Sequence, residues 1–166
     1  VDRRQRQMCI RDRPKVSAKT VSIKRWTPDA VTFRDGTRIN SRALAALTTG
    51  ASQILAMAVT VGAAVEDLVE TYHRRGDDFA MLVADAAASV AAEELMSKVY
   101  RREKAAGVAR RVFLTKRISP GFGDFDLTAQ RWLLSVSGGS ELGIRLTEAF
   151  MMVPRKSITA VAACLP

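Results

Sequence analysis

The chain has 166 residues, 48% hydrophobic and 26% charged, with 10 Gly and 5 Pro, a composition that can bury a core and excludes disordered, collagen-like and disulfide-scaffold classes. Its 26 Lys plus Arg against 17 Asp plus Glu give a net charge of +9, a balance that invites nucleic-acid, membrane-surface or acidic-protein partners. The two cysteines, Cys9 and Cys164, lie too far apart in sequence for a zinc pair or a stapled secreted fold, so a reducing, cytoplasmic compartment is expected.

Residues 1–13 carry five Arg and two Asp with almost nothing apolar to bury, and Gln7 to Arg13 resembles a translated adapter scar. This segment is read as non-native or disordered. It contributes +3 of the +9, leaving +6 for residues 14–166, which are read as one domain. Ala30 to Phe33 and Thr37 to Ile39, joined by Arg34-Asp35-Gly36, predict a hairpin. Ser41 caps a short helix to Thr48 that Gly50 ends. Gln53 to Val61 is a continuous apolar run of strand length, and helix is the alternative. The apolar stretch from Ile54 to Val65 is too short to span a bilayer and is broken by Thr60 and Gly62. No membrane partner is expected.

A helix follows to about Arg75, with Ala64, Val65, Leu68, Val69 and Tyr72 at helical spacing. Asp77 or Asp78 caps the longest helix, predicted to run to about Lys104 before Gly107. Its stripe of Phe79, Leu82, Val83, Ala86 and Val90 predicts a buried face, and Glu93 falls on the same face. A carboxylate there is either partly buried, which makes it a functional candidate, or marks where the stripe reaches solvent. Val108 to Lys116 reads as a strand, and Ser119 to Asp124 as a shaped loop. Asp126 or Thr128 caps a helix with Leu127, Trp132 and Leu133. Ile144 to Val153 and Ser157 to Ala163 read as two closing strands. The order of elements predicts an α+β fold, an antiparallel or mixed sheet with flanking helices.

The search for chemistry by motif is mostly negative. No phosphate loop, G-x-G-x-x-G after a strand, H-E-x-x-H or G-x-S-x-G occurs. The single His73 sits near a helix end beside Arg74 and Arg75, where a solvated role is expected. The basic clusters at Lys98 to Lys104 and Arg110 to Arg117 have few aromatic neighbours to stack on bases, so a solvated face is favoured over nucleic acid. A non-catalytic basic module for nucleic acid or an acidic protein is the alternative reading.

Two segments are more specific. Arg117-Ile118-Ser119-Pro120-Gly121-Phe122, with Leu146-Thr147-Glu148-Ala149-Phe150-Met151-Met152-Val153-Pro154-Arg155-Lys156-Ser157-Ile158 downstream, resembles the reactivation domain of cobalamin-dependent methionine synthase, most closely its short, free-standing relatives. Thr60-Val61-Gly62 and Ala91-Ala92-Glu93 also have counterparts there. The resemblance implies an activation-domain-like fold and a site for S-adenosylmethionine made by Arg117, Ser119, Gly121, Phe122 and Glu93. Arg117 would hold the amino-acid carboxylate and Glu93 the ammonium, with Glu94 as the alternative register. Phe122 stands where the family has Tyr, which keeps an aromatic wall without the hydroxyl.

The implied role is to support reductive methylation of cobalamin carried by a corrinoid-binding methionine synthase or another corrinoid protein, acting in trans. A flavodoxin-like protein would donate electrons. That makes the chain a component of a methyltransferase activity, with no catalytic side chain or metal ligand of its own assigned. A degenerate member that scaffolds a corrinoid protein without binding the nucleotide is a further reading. The acidic residue that the multidomain enzyme carries just before its loop Arg is missing here. The chain also stops at Cys164-Leu165-Pro166. Truncation is expected, with an exposed sheet edge or apolar face near Ile158 to Ala163.

Overall fold

A computed structural model describes residues 13–166, so the reading of the N-terminal segment lies outside the described residues. Its main sheet has six strands. They are β1 (Lys15–Thr27), β2 (Ala30–Phe33), β3 (Arg38–Asn40), β4 (Gln53–Thr60), β5 (Phe113–Leu114) and β8 (Ser157–Leu165), in the order β3-β2-β1-β4-β8-β5. Every strand pairing is antiparallel. Two short strands, β6 (Arg145–Leu146) and β7 (Met152–Val153), form a separate hairpin. The helices are α1 (Arg42–Leu47), α2 (Ala64–Arg74), α3 (Asp78–Ala109) and α4 (Gln130–Val136).

Strand β4 shows why its sequence does not alternate. Ile54 and Ala56 join a core with Phe33, Leu44, Phe125 and Leu133 on one face of the sheet. Leu55, Met57 and Val59 join Met96, Val99 and Leu114 on the other. A strand covered on both faces is apolar throughout. The long strand β1 does not stand out in the sequence because its buried side changes along its length. Val16 and Ala18 pack toward α3, whereas Val21 and Ile23 pack toward α1 and α4.

Four expectations are corrected. The stripe on α3 faces solvent: Phe79, Leu82, Val83 and Val90 are 79%, 64%, 50% and 63% exposed. The buried face is Ala88, Ala92, Met96 and Val99, the opposite side, where small alanines let the helix approach closely. Helix α3 also continues through Gly107 to Ala109, so the strand expected from Val108 shrinks to Phe113–Leu114. A methyl group at Gly107 would lie 2.6 Å from the Val112 carbonyl oxygen, so glycine permits this close return of the chain. The run from Ile144 to Val153 folds back as the β6–β7 hairpin, closed by a loop whose Phe150 has φ of +59°. Ile158 to Ala163 lies inside the sheet, with Ala160 to Ala163 fully buried between β4 and the segment from β5 to Ile118. No helix among the described residues is long and apolar enough to cross a membrane.

Candidate functional site

The site begins with the loop that follows β5. Ile118 makes an antiparallel bridge to Val161 of β8, its N–H donating to the Val161 carbonyl at 2.9 Å and its carbonyl accepting at 2.8 Å. The chain then leaves the sheet through Ser119-Pro120-Gly121-Phe122. Proline in the second position, Gly121 at φ +92° in the third and a Phe122 N–H donating to the Ser119 carbonyl at 3.1 Å are the marks of a type II turn. Buried Phe125 anchors the far side of the loop.

Asp124 ties this loop to α1. Its carboxylate accepts hydrogen bonds from the backbone N–H groups of Ala43 at 2.9 Å and Arg42 at 2.7 Å, and from the Ser41 hydroxyl at 2.9 Å. These donors lower its pKa to about 2, the Ala43 and Arg42 amides contributing most. Ser41 also caps α1 by accepting from the Leu44 N–H. The start of one helix therefore holds the loop in place.

Arg117 precedes the turn and reaches back to α3. Its guanidinium lies 2.8 Å from Glu93 Oε2 and donates weakly to Ser97 Oγ at 3.5 Å. The two side chains are 25% and 59% exposed, so Glu93 is not the partly buried carboxylate expected from the stripe. It faces solvent with the stripe and meets an arginine there. Glu94 points elsewhere and pairs with Arg101 at 3.6 Å.

Beside this pair lies an open cavity of about 490 Å³, within the size range of small-ligand sites. Glu93, Ser119 and Pro120 form one side. Leu127, Phe150, Met151 and Ile158 give apolar walls, and Gln130 and Thr159 add buried polar groups. Lys156 enters from the β7–β8 connection, its ammonium 2.8 Å from Asp85 and 2.9 Å from the Ser89 hydroxyl. The hydrogen bond from Lys156, opposed by desolvation and helped by the charges of Lys156 and Arg155, lowers the Asp85 pKa. Arg131 sits over the Phe150 ring at 5.6 Å.

The structure thus brings Glu93 and Ser119 to one cavity with Arg117 bound at its edge. Gly121 and Phe122 are placed otherwise. The Gly121 N–H is used within the loop, donating to the Phe125 carbonyl at 2.6 Å. Phe122 lines a different cleft, with Ala43, Leu47, Thr115 and Ile118. Sequence reasoning did not select Phe150, Lys156, Gln130 or Thr159. Phe150 and Lys156 belong to the downstream segment already singled out, but Gln130 gives no local signal because most of its cavity is built from residues distant in sequence, from Glu93 to Thr159.

The family described as "Vitamin B12 dependent methionine synthase, activation domain" matches residues 43–166. A solved structure, described as the MetH reactivation domain bound to AdoHcy, is similar to this chain at 17% identity with a TM-score of 0.56. The similarity covers 90% of this chain and 58% of that one, so this chain spans less than two thirds of that structure. It supports the α+β architecture. No curated protein matches the sequence.

Proposed function

Because the chain belongs to the activation-domain family of vitamin B12-dependent methionine synthase, we propose that it binds S-adenosylmethionine beside the Arg117–Glu93 pair and presents it for reactivation of a corrinoid. The observation that carries this reading is the pair itself. A guanidinium from the loop and a carboxylate from α3 meet at 2.8 Å at the edge of a cavity of ligand size.

An amino-acid head group brings the complementary charges. Its carboxylate would take the guanidinium, a geometry suited to a bidentate fork, while its ammonium would take the Glu93 carboxylate. Each charge exchanges one ionic partner for another, which limits the desolvation cost of binding. Ser119, which lines the cavity, offers a further polar contact. Leu127, Phe150, Met151 and Ile158 would cover the less polar part of the ligand.

Bound S-adenosylmethionine supplies an electrophilic methyl group on a sulfonium. The work left to this chain is to bind, orient and keep water out. The cavity suits a nucleoside-sized ligand and leaves a much larger corrinoid outside. The proposal places the cobalamin on a partner, methionine synthase or another corrinoid protein, met in trans. A flavodoxin-like donor of electrons completes the proposal.

Isothermal titration with S-adenosylmethionine tests the ligand assignment. Arg117→Ala is expected to weaken binding about 10- to 100-fold, the range for a lost hydrogen-bonded charge, and Glu93→Gln by less. A folded wild-type protein that takes up no S-adenosylmethionine would overturn the reading.

A further inference from the structure

Gln130 is the first residue of α4 and is only 3% exposed. Its Oε1 accepts a hydrogen bond from the Thr159 hydroxyl at 3.0 Å. Its Nε2 has no partner among the described residues, yet it is not among fully enclosed unsatisfied atoms, and the residue lines the cavity beside Glu93 and Ser119. The free amide edge therefore opens into the cavity. A nearly buried carboxamide held by one bond and left with two donors unused is costly unless something else satisfies it.

The backbone next to it shows the same imbalance. Val161 directs its N–H and carbonyl toward the loop, where both pair with Ile118. Strand alternation directs those of Thr159, two residues earlier, to the same side. The position that would pair with Thr159 by continuing the Ile118–Val161 register is Pro120, which has no N–H, and there the chain turns away. Among the described residues nothing bonds the Thr159 main-chain N–H or carbonyl on that side. One buried stretch, 1% exposed at Thr159, thus holds donors and acceptors unmatched at the cavity.

We propose that Gln130, oriented by Thr159, is the specificity-determining contact for the adenine base of the nucleotide. This rests on the S-adenosylmethionine reading and extends it from the charged head group to the base. A glutamine amide matches the N6/N7 edge of adenine in a two-bond fork, Nε2–H donating to N7 and Oε1 accepting from the N6 amine. The Oε1 lone pair not used by Thr159 serves the second bond. Apolar Phe150, Met151 and Ile158 line the same cavity and suit the flat faces of a purine. Hypoxanthine, with a carbonyl in place of the N6 amine, would set oxygen against oxygen.

The test compares binding of S-adenosylmethionine with that of its inosine analogue, by titration on wild type, Gln130→Met and Thr159→Val. Wild type is expected to prefer the adenine form by about 10-fold or more, because the mismatched base leaves a buried acceptor unpaired. Gln130→Met should bring the ratio of the two affinities close to one, and Thr159→Val should reduce it. The ratio is independent of the fraction of variant that folds. Wild type that binds both forms equally, or Gln130→Met that keeps the full preference, would overturn the proposal while leaving the head-group reading intact. Failure of wild type to bind either form would instead sink the S-adenosylmethionine reading beneath it.

Discussion

The two halves of α3 share one helix and differ in everything that surrounds it. From Met96 onward it lies on the sheet, with Met96 and Val99 buried against Met57 and Leu114. Before Ala88 it has no fully buried residue, and its neighbour α2 has none at all. There Ala80, Met81 and Ala84 are half-buried, and the larger Phe79, Leu82 and Val83 are exposed. The difference teaches that size and apolarity do not choose the buried face of a helix. The neighbouring surface does, and here the sheet takes Met96 and Val99 while the more apolar-looking stripe of the first half stays outside.

The strongest test of that contrast is truncation in the sheet-bound half. Met96→Ala is expected to cost about 2–5 kcal/mol in chemical denaturation, the range for a large core side chain. If Met96→Ala were as mild as a surface change, the packed half would not be the stabilising one. Next is Gly107→Ala, whose new methyl would meet the Val112 carbonyl. A loss of about 1–3 kcal/mol is expected from overpacking, read from the same unfolding curves.

The junction of the halves carries the Arg117–Glu93 pair, which is more exposed and weaker. A double-mutant cycle with Arg117→Met and Glu93→Gln should return a coupling of about 0–1 kcal/mol to stability in the absence of ligand. A larger value would make the pair a structural clamp rather than a binding device. In the projecting half, Phe79→Ala and Leu82→Ala should change stability by no more than about 0.5 kcal/mol, and a drop like that of Met96→Ala would show that this face is covered.

A pH series probes the loop that presents Arg117. Asp124 has its pKa lowered from 3.8 to about 2 on folding. The folded state thus holds this proton less readily than the unfolded chain, and the stabilisation is complete above about pH 5 and lost progressively as pH falls to about 2. The thermal midpoint of Asp124→Asn should lie below that of wild type at neutral pH, and the two should converge in strong acid. A constant gap down to pH 2 would remove the carboxylate from the account.

Much of the scaffold was legible because local chemistry and tertiary role agree. Ser41 caps α1 and Asp77 caps α3, as their positions before apolar periodic runs indicate. The unbroken apolar run from Ile54 to Val59 is covered on both faces. Strand β1 was not legible, since its apolar residues move from one face at Val16 and Ala18 to the other at Val21 and Ile23. The α3 stripe was misread because the helix is apolar on both sides. Of the residues that the resemblance implies for a ligand, Glu93 and Ser119 line one cavity and Arg117 pairs with Glu93 at its edge, whereas Gly121 is used within the loop and Phe122 lines another cleft. Gln130 was not legible, because the cavity it faces is assembled from residues distant in sequence, Glu93 of α3, Phe150 of the β6–β7 loop and Thr159 of β8 among them.

The carboxylate of Asp124 has a consequence for binding kinetics. A loop that carries a ligand contact ordinarily loses backbone freedom when the ligand arrives, and that entropy weakens the complex. Here three donors at the start of α1 hold the turn, so its ordering occurs when the protein folds. Releasing the tether should leave Arg117 chemically able to engage a ligand but slower to find its geometry and quicker to lose it. Asp124, which touches no part of the cavity, would thereby govern how long the complex lasts.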